Sequence, residues 1–401
     1  MNANADLNTD VNTEMNANAD TSTHAETGAG TTSANHEGAA APVVAAVQTR
    51  DATAEQMSPS QGKRTASQVI FERLTAIDVG EPVAHERMVV FPLYLGGDTA
   101  SALRYSTLEQ ALAAGSVEVT EQASATVPEL VLHNKSTVQI FVLDGEEIVG
   151  GRQNRIVNAS FLVGANATVP LPVTCVEHGR WYSTSRTFSS GEASYHSLRS
   201  EKFTQVHESL RRGMRHSSDQ GAVWNSVAAK AMRAGAASPT GAMHEIYESR
   251  SGSLDAYLGA FPYMAGACGF AVALGGQMAG ADLFDQPATA QVLWPKLLRS
   301  YAMDALDSLD GGSIGREGAR RLFERVRGVA AETYPSLALG EDVRFAGDGV
   351  VGGGLVYEET PVHISIFRTS GASSMQPSTM ARASQSRMAY QQRSQPVDRT
   401  P

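Results

Sequence analysis

An α+β fold is predicted by the order in which hydrophobic periods change along the chain. It would have a mainly antiparallel or mixed β-sheet in its N-terminal part, a helical middle, and C-terminal strands that rejoin the sheet. Short β-branched runs dominate residues 76–172, helical spacing takes over after Ser190, and period-two alternation returns near the end. Strands first, helices next and strands last do not fit a regular βαβ alternation, which disfavours a doubly wound sheet.

Taken in order, 89–93, 117–120, 130–132, 138–143, 156–157 and 167–171 read as strands, because each is short, rich in β-branched residues and bounded by Gly, Asn or Pro. One helix interrupts them. Ser106 or Thr107 caps it, Leu108, Ala111 and Leu112 lie at helical spacing, and Gly115 stops it. After Ser190, Tyr195, Leu198, Phe203, Val206 and Leu210 fall near one helical face. Ser218 is the expected N-cap of a helix over 220–234, striped by Val223, Val227 and Ala231. Residues 243–248 and 254–258 are shorter helical pieces, and 270–274 reads as a buried strand between loops. Two amphipathic helices follow over 289–309 and 315–331, the second with Arg on its wet face. The chain returns to sheet at 350–358 and 362–367, joined by Glu359-Thr360-Pro361; Val362, Ile364 and Ile366 there alternate with His363 and Ser365.

The ends read differently. Met1-Asn2-Ala3-Asn4-Ala5-Asp6 recurs letter for letter from Met15 to Asp20, and residues 1–64 carry eight acids against three bases, the composition of a disordered acidic tail. Residues 371–401, with four Arg and one Asp, are expected to be a second disordered tail. Between them, 65–370 is expected to form a single domain with a net charge of −8, out of −10 for the 401-residue chain. So acidic a body repels nucleic acid. Two cysteines make no disulfide framework, and the first forty residues lack an apolar signal segment, so the expected location is the cytoplasm. The uncharged stretch 256–281 is long enough to span a bilayer, but Pro262 and its many glycines argue for buried loop and strand and against a membrane.

Two polar clusters stand out. Gly145-Glu146-Glu147-Ile148-Val149-Gly150-Gly151-Arg152-Gln153-Asn154-Arg155 places two carboxylates, two guanidinium groups and two amides between strand-like segments, and polarity of that density at a sheet edge points to a site. Cys175-Val176-Glu177-His178-Gly179-Arg180-Trp181 follows another apolar run, and the two clusters are expected to face one pocket. Arg152, Arg155 and Arg180 have planar forks suited to phosphate or carboxylate, with Gln153, Asn154, Glu147 and Trp181 available to orient a ligand. Alternatively, the same Arg and Glu side chains hold a turn as a structural ion-pair network. If there is catalysis, Glu147 or Glu177 is the preferred general base, and Cys175, with His178 and Arg180 nearby in sequence, is a candidate nucleophile. Glu146 and Glu147 are adjacent, so on a strand they point to opposite faces. No HExxH or CxxC occurs, so no metal site is expected; neither GxGxxG nor the Walker spacing is present, so there is no ordinary nucleotide loop, and the sequence leaves the cofactor unknown.

These two clusters, together with Ser218-Asp219-Gln220-Gly221-Ala222-Val223-Trp224, resemble the ARG and Rhodanese-Phosphatase-superfamily-associated protein family. The resemblance runs over about 75–310 and at its widest reaches 368. The family is named for its genomic association with ADP-ribosylglycohydrolase and rhodanese-phosphatase proteins and has no established activity. The resemblance implies a ligand such as ADP-ribose, an NAD-derived nucleotide or another phosphorylated metabolite; the alternative is a non-catalytic component that docks a protein partner.

Overall fold

A computed structural model describes residues 63–96, 101–122, 128–180 and 182–369. Of the tails expected over 1–64 and 371–401, residues 1–62 and 371–401 lie outside the described residues, as does any role for Trp181, whereas Arg64 pairs with Glu72 and Glu359. The chain opens with α1 (Ala66–Thr75), β1 (Ile77–Val79), β2 (Val83–His85), β3 (Met88–Leu95), β4 (Tyr105–Thr107) and α2 (Leu108–Ala113). Then come β5 (Val117–Glu121), β6 (Glu129–Asn134), β7 (Gln139–Val142), β8 (Glu146–Gly150), β9 (Arg155–Val157), β10 (Phe161–Val163), β11 (Thr168–Cys175) and β12 (Phe188–Ala193). The helical middle is α3 (His196–Arg211), α4 (Gln220–Ala234), α5 (Met243–Ser249) and α6 (Ser251–Ala260). A hairpin, β13 (Gly269–Leu274) and β14 (Gln277–Phe284), leads to α7 (Pro287–Ala305) and α8 (Arg316–Arg327). The last strands are β15 (Ala331–Pro335), β16 (Glu341–Gly347), β17 (Val350–Tyr357) and β18 (Thr360–Arg368).

The fold is α+β with helices in the middle. The strands among the described residues form three sheets. Nine make an antiparallel sheet ordered β1-β3-β13-β14-β18-β17-β16-β15, with β2 also on β3. The C-terminal strands thus rejoin the sheet of β3, through the β13–β14 hairpin. Most of the early strands leave it: β12-β8-β9-β11-β6-β5 form a second sheet, and β10-β7-β4 a third that contains a parallel pair, β4 with β7.

Burial explains the layering. One face of the large sheet is closed by α1 and α8, where Ile70, Leu74, Leu322, Phe323 and Val326 meet Phe91, Ala271, Val343 and Ile366. On the other face, Leu293, Trp294, Leu297 and Tyr301 of α7 share a core with Phe270, Val272 and Phe284, and this core continues through Ile156 and Val176 to α4 and α5. A third core, with Ile140, Phe161, Leu130, Leu171 and Ile148, lies between the two smaller sheets. Charged groups bridge these layers. Arg199 of α3 forks onto Asp282 of β14 at 3.0 and 2.6 Å, and Asp282 also accepts from Tyr301 at 3.0 Å. Lys202, one helical turn on, pairs with Asp144 and donates to the carbonyl of Val157 at 2.8 Å.

Several sequence expectations need correction. The stretch 256–281 holds the end of α6 and most of a hairpin, because Gly275 and Gly276, both with positive φ, turn the chain directly from β13 into β14. The helix expected to reach 331 stops at Arg327, since Gly328 follows and β15 begins at Ala331. Strands β15 and β16 lack a long apolar run and show no clear signal in the sequence. Asp219, not Ser218, caps α4: its carboxylate accepts from the amides of Gly221 and Ala222, while the Ser218 hydroxyl lies 2.5 Å from that of Thr174. Lastly, Glu146 to Gly150 do not lie at a sheet edge, since β8 runs between β12 and β9.

Candidate functional site

The polar run 145–155 folds into β8, a tight turn and β9. Gly150 (φ 134°) and Gly151 (φ 53°) adopt backbone that L side chains rarely take, and a Cβ on Gly150 would stand 2.5 Å from Ser185 Oγ. The missing side chains let the segment after Arg180 lie directly on the turn. There the two clusters meet through hydrogen bonds between their own groups. Arg180 donates through Nε to Glu177 Oε1 at 2.8 Å and through Nη2 to Glu177 Oε2 at 2.6 Å and Asn154 Oδ1 at 3.0 Å. Its Nη1 donates to the Gly151 carbonyl at 2.6 Å and Thr184 Oγ1 at 2.9 Å. Glu177 is equally committed, accepting also from the Asn154 amide at 2.9 Å and Thr240 Oγ1 at 2.8 Å. Burial opposes its ionisation, yet Arg180 and these donors hold its carboxyl below the usual range.

The remaining members of the cluster converge on Glu121 and Cys175. Glu121 Oε1 accepts from the Arg152 amide at 2.9 Å and from both Nη atoms of Arg155 at 3.2 and 3.3 Å. The Arg152 side chain is half exposed, with Nε 3.4 Å from Glu121 Oε2, whereas Arg155 is buried over the ring of Phe188 and its Nε has no hydrogen-bond partner among the described residues. Gln153 donates to the Glu177 carbonyl at 2.8 Å and lies 3.2 Å from the Cys175 thiol, which donates to it. The electropositive setting expected for Cys175 is not what surrounds it. His178 is exposed and meets the Trp224 ring edge-on, Arg180 is held by Glu177, and burial pushes the Cys175 thiol up despite Arg155.

Glu146 and Glu147 point to opposite faces of β8, as adjacent strand residues must. Glu146 accepts from Ser190 Oγ at 2.5 Å and Lys296 Nζ at 2.9 Å, and Lys296 also reaches Glu109 at 2.8 Å. Glu147 is fully buried. Its Oε2 lies 3.3 Å from His244 Nδ1 on α5, and its Oε1 has no hydrogen-bond partner among the described residues. Burial raises the Glu147 carboxyl, and Glu192 and Glu177 raise it further against the opposing pull of His244. The His244 imidazole, about a third exposed, is raised chiefly by its hydrogen bond to Glu147. A buried carboxylate with a free oxygen and a solvent-reaching imidazole together make a group able to take or release one proton.

Residues 76–367 match the family model of the ARG and Rhodanese-Phosphatase-superfamily-associated Protein domain, ARPP-1. The chain belongs to the ARPP-1 family. No match was found among curated proteins or among solved structures. Both polar clusters and the Glu147–His244 pair fall inside the ARPP-1 domain. No described helix is long and apolar enough to cross a membrane, and no group of His, Cys, Asp or Glu among the described residues is arranged to hold a metal ion.

Glu121, Thr240, His244 and Lys296 escaped the sequence reading of the ARPP-1 domain. Each lies at least thirty positions from its partner in the clusters, on an element where a polar residue is unremarkable. The one available signal was a lone histidine in the short helical piece 243–248, and a lone histidine on a helix is usually surface.

Proposed function

We propose that this ARPP-1 protein binds a small polar molecule against the exposed edge of His244 and acts on it as a hydrolase, with Glu147 as the base. The supporting observation is the pairing of a fully buried carboxylate, one oxygen unpartnered, with an imidazole that reaches solvent. In this reading Glu147 stores the proton and His244 carries it to or from a water or a substrate hydroxyl. Glu192 and Glu248 lie near the imidazole and disfavour an anionic group there, so the reacting portion of the ligand is neutral, as a ribose is. Arg152, half exposed, is the guanidinium of the first cluster we assign to the ligand's anionic portion; Arg155 and Arg180 keep the turn in shape, with Gln153, Asn154 and Glu177 as their frame. Two free cysteines, Cys175 and Cys268, support a cytoplasmic protein.

The test is product release from ADP-ribose and from NAD by the full chain, compared with Glu147→Gln and His244→Asn. Turnover reduced about 100-fold or more in both variants, each still melting cooperatively as a folded protein, supports the reading. Turnover equal to wild type in either variant, or none with either substrate in the wild type, overturns it.

A second reading has its own support. The N–H groups of Arg180 point at protein acceptors, which favours a structural ion-pair network in a protein that docks a partner. Melting with and without millimolar ADP-ribose separates the two: ligand at about 100 times its dissociation constant adds about 2.7 kcal/mol, whereas a purely structural network gives no rise.

A further inference from the structure

Away from both clusters, α8 and the ends of β14, β17 and β18 line an open-sided pocket of about 190 Å³. Its floor is apolar, made by Met278, Ile314 and Leu322, and its rim carries Arg321, Arg325 and Arg368. No Asp or Glu is among its described lining residues, although the chain as a whole has a net charge of −10. The three guanidinium groups are weakly held. Arg325 has no carboxylate partner among the described residues, Arg321 stands 3.9 Å from the exposed Glu317, and Arg368 donates to the neutral Gln277 side chain at 2.8 Å. Structural arginines elsewhere in this protein behave differently, as Arg180 and Arg199 show by forking onto buried carboxylates.

We propose that this cavity is a second ligand site, separate from His244, that takes an organic phosphate with a small apolar group. Three planar forks suit the oxygens of a dianion, and a phosphate offers bidentate partners to more than one of them. The floor accepts the apolar group. The volume lies below the roughly 300–1,000 Å³ of sites for drug-sized ligands, so the site suits a compact ligand.

Isothermal titration of the full chain with phenyl phosphate and with inorganic phosphate tests this. The proposal expects saturable binding of both at low salt, phenyl phosphate the tighter, with Arg325→Ala and Arg321→Ala each weakening it about tenfold or more, the worth of one charge-assisted hydrogen bond. Arg325→Lys keeps the charge, loses the fork and is expected to fall between; it also carries the test if Arg325→Ala melts early. Glu147→Gln binds as wild type, so failure of the hydrolase reading leaves this result untouched. No saturable binding at millimolar phenyl phosphate, equal binding by both phosphates, or wild-type affinity in Arg325→Ala overturns the proposal.

Discussion

Arg180, in the segment after β11, and Glu147, on β8, show how differently two buried ionisable groups are treated. Arg180 and Glu177 complete each other, so removing one strands the other. Arg180→Ala is expected to cost about 3–5 kcal/mol, as breaking a buried pair does, measured by urea unfolding. A loss under about 1 kcal/mol, the worth of an exposed pair, would show that the pair is not structural. The two carboxyls also differ in their pH dependence. Glu177 is depressed in the folded state, so its stabilisation is present above its unfolded value of about 4.3 and is lost as pH falls through the lower folded value. Glu147 is raised, so folding favours its protonated form, and this contribution is lost as pH rises through its folded value. Glu147→Gln should therefore remove a stability loss on the alkaline side, while Glu177→Gln removes one on the acidic side; urea midpoints between pH 3 and 8 read both. The residues of the two clusters were legible because their density is unusual. Their partners were not, since Glu121, Thr240 and His244 are single polar residues brought in by tertiary contacts that sequence spacing does not encode.

Elements with strong periodicity were the easiest to read. The capping box of α2, in which the Thr107 hydroxyl accepts from the Gln110 amide and the Gln110 side chain returns to Thr107, matches its sequence signal. So does the terminal hairpin of β17 and β18. Strand β8 was not among the expected strands because its apolar run is only Ile148-Val149; the burial of Glu146 and Glu147 is tolerated because Lys296 and His244 lie on opposite sides of the sheet to receive them. Its glycine end makes a firm prediction. Gly150→Ala places a methyl 2.5 Å from Ser185 Oγ and 3.0 Å from the Thr187 carbonyl at a φ that alanine avoids, and should destabilise the domain by about 1–3 kcal/mol in urea unfolding. At the start of α4, Asp219→Ala loses the cap and should cost about 1 kcal/mol, whereas Ser218→Ala, which the sequence made the cap, should leave helix content unchanged by circular dichroism.

At the scale of the molecule, charged residues bridge the layers as much as apolar ones fill them. Arg199 and His363 hold Asp282 between α3, β14 and β18, and Arg344 with His216 holds Asp342; in each, burial opposes ionisation, and the guanidinium group together with the hydrogen bonds to the carboxylate outweighs it, leaving both carboxyls below their ordinary range. Their stabilisation is present above an unfolded value of about 3.9 and is lost as pH falls through the folded values, so the domain should melt progressively earlier below about pH 4. The α+β class was legible from the order of periods. The division of the early strands into three sheets was not, because pairing partners are chosen by tertiary packing and leave no trace in any one strand.

The account rests on Glu147 and His244 sharing a proton, and a histidine titration by NMR in wild type and Glu147→Gln tests that most directly. It predicts that His244 titrates above the ordinary value of about 6.5 in the wild type and falls toward or below it when the carboxylate is replaced. The same titration midpoint in both proteins would contradict it.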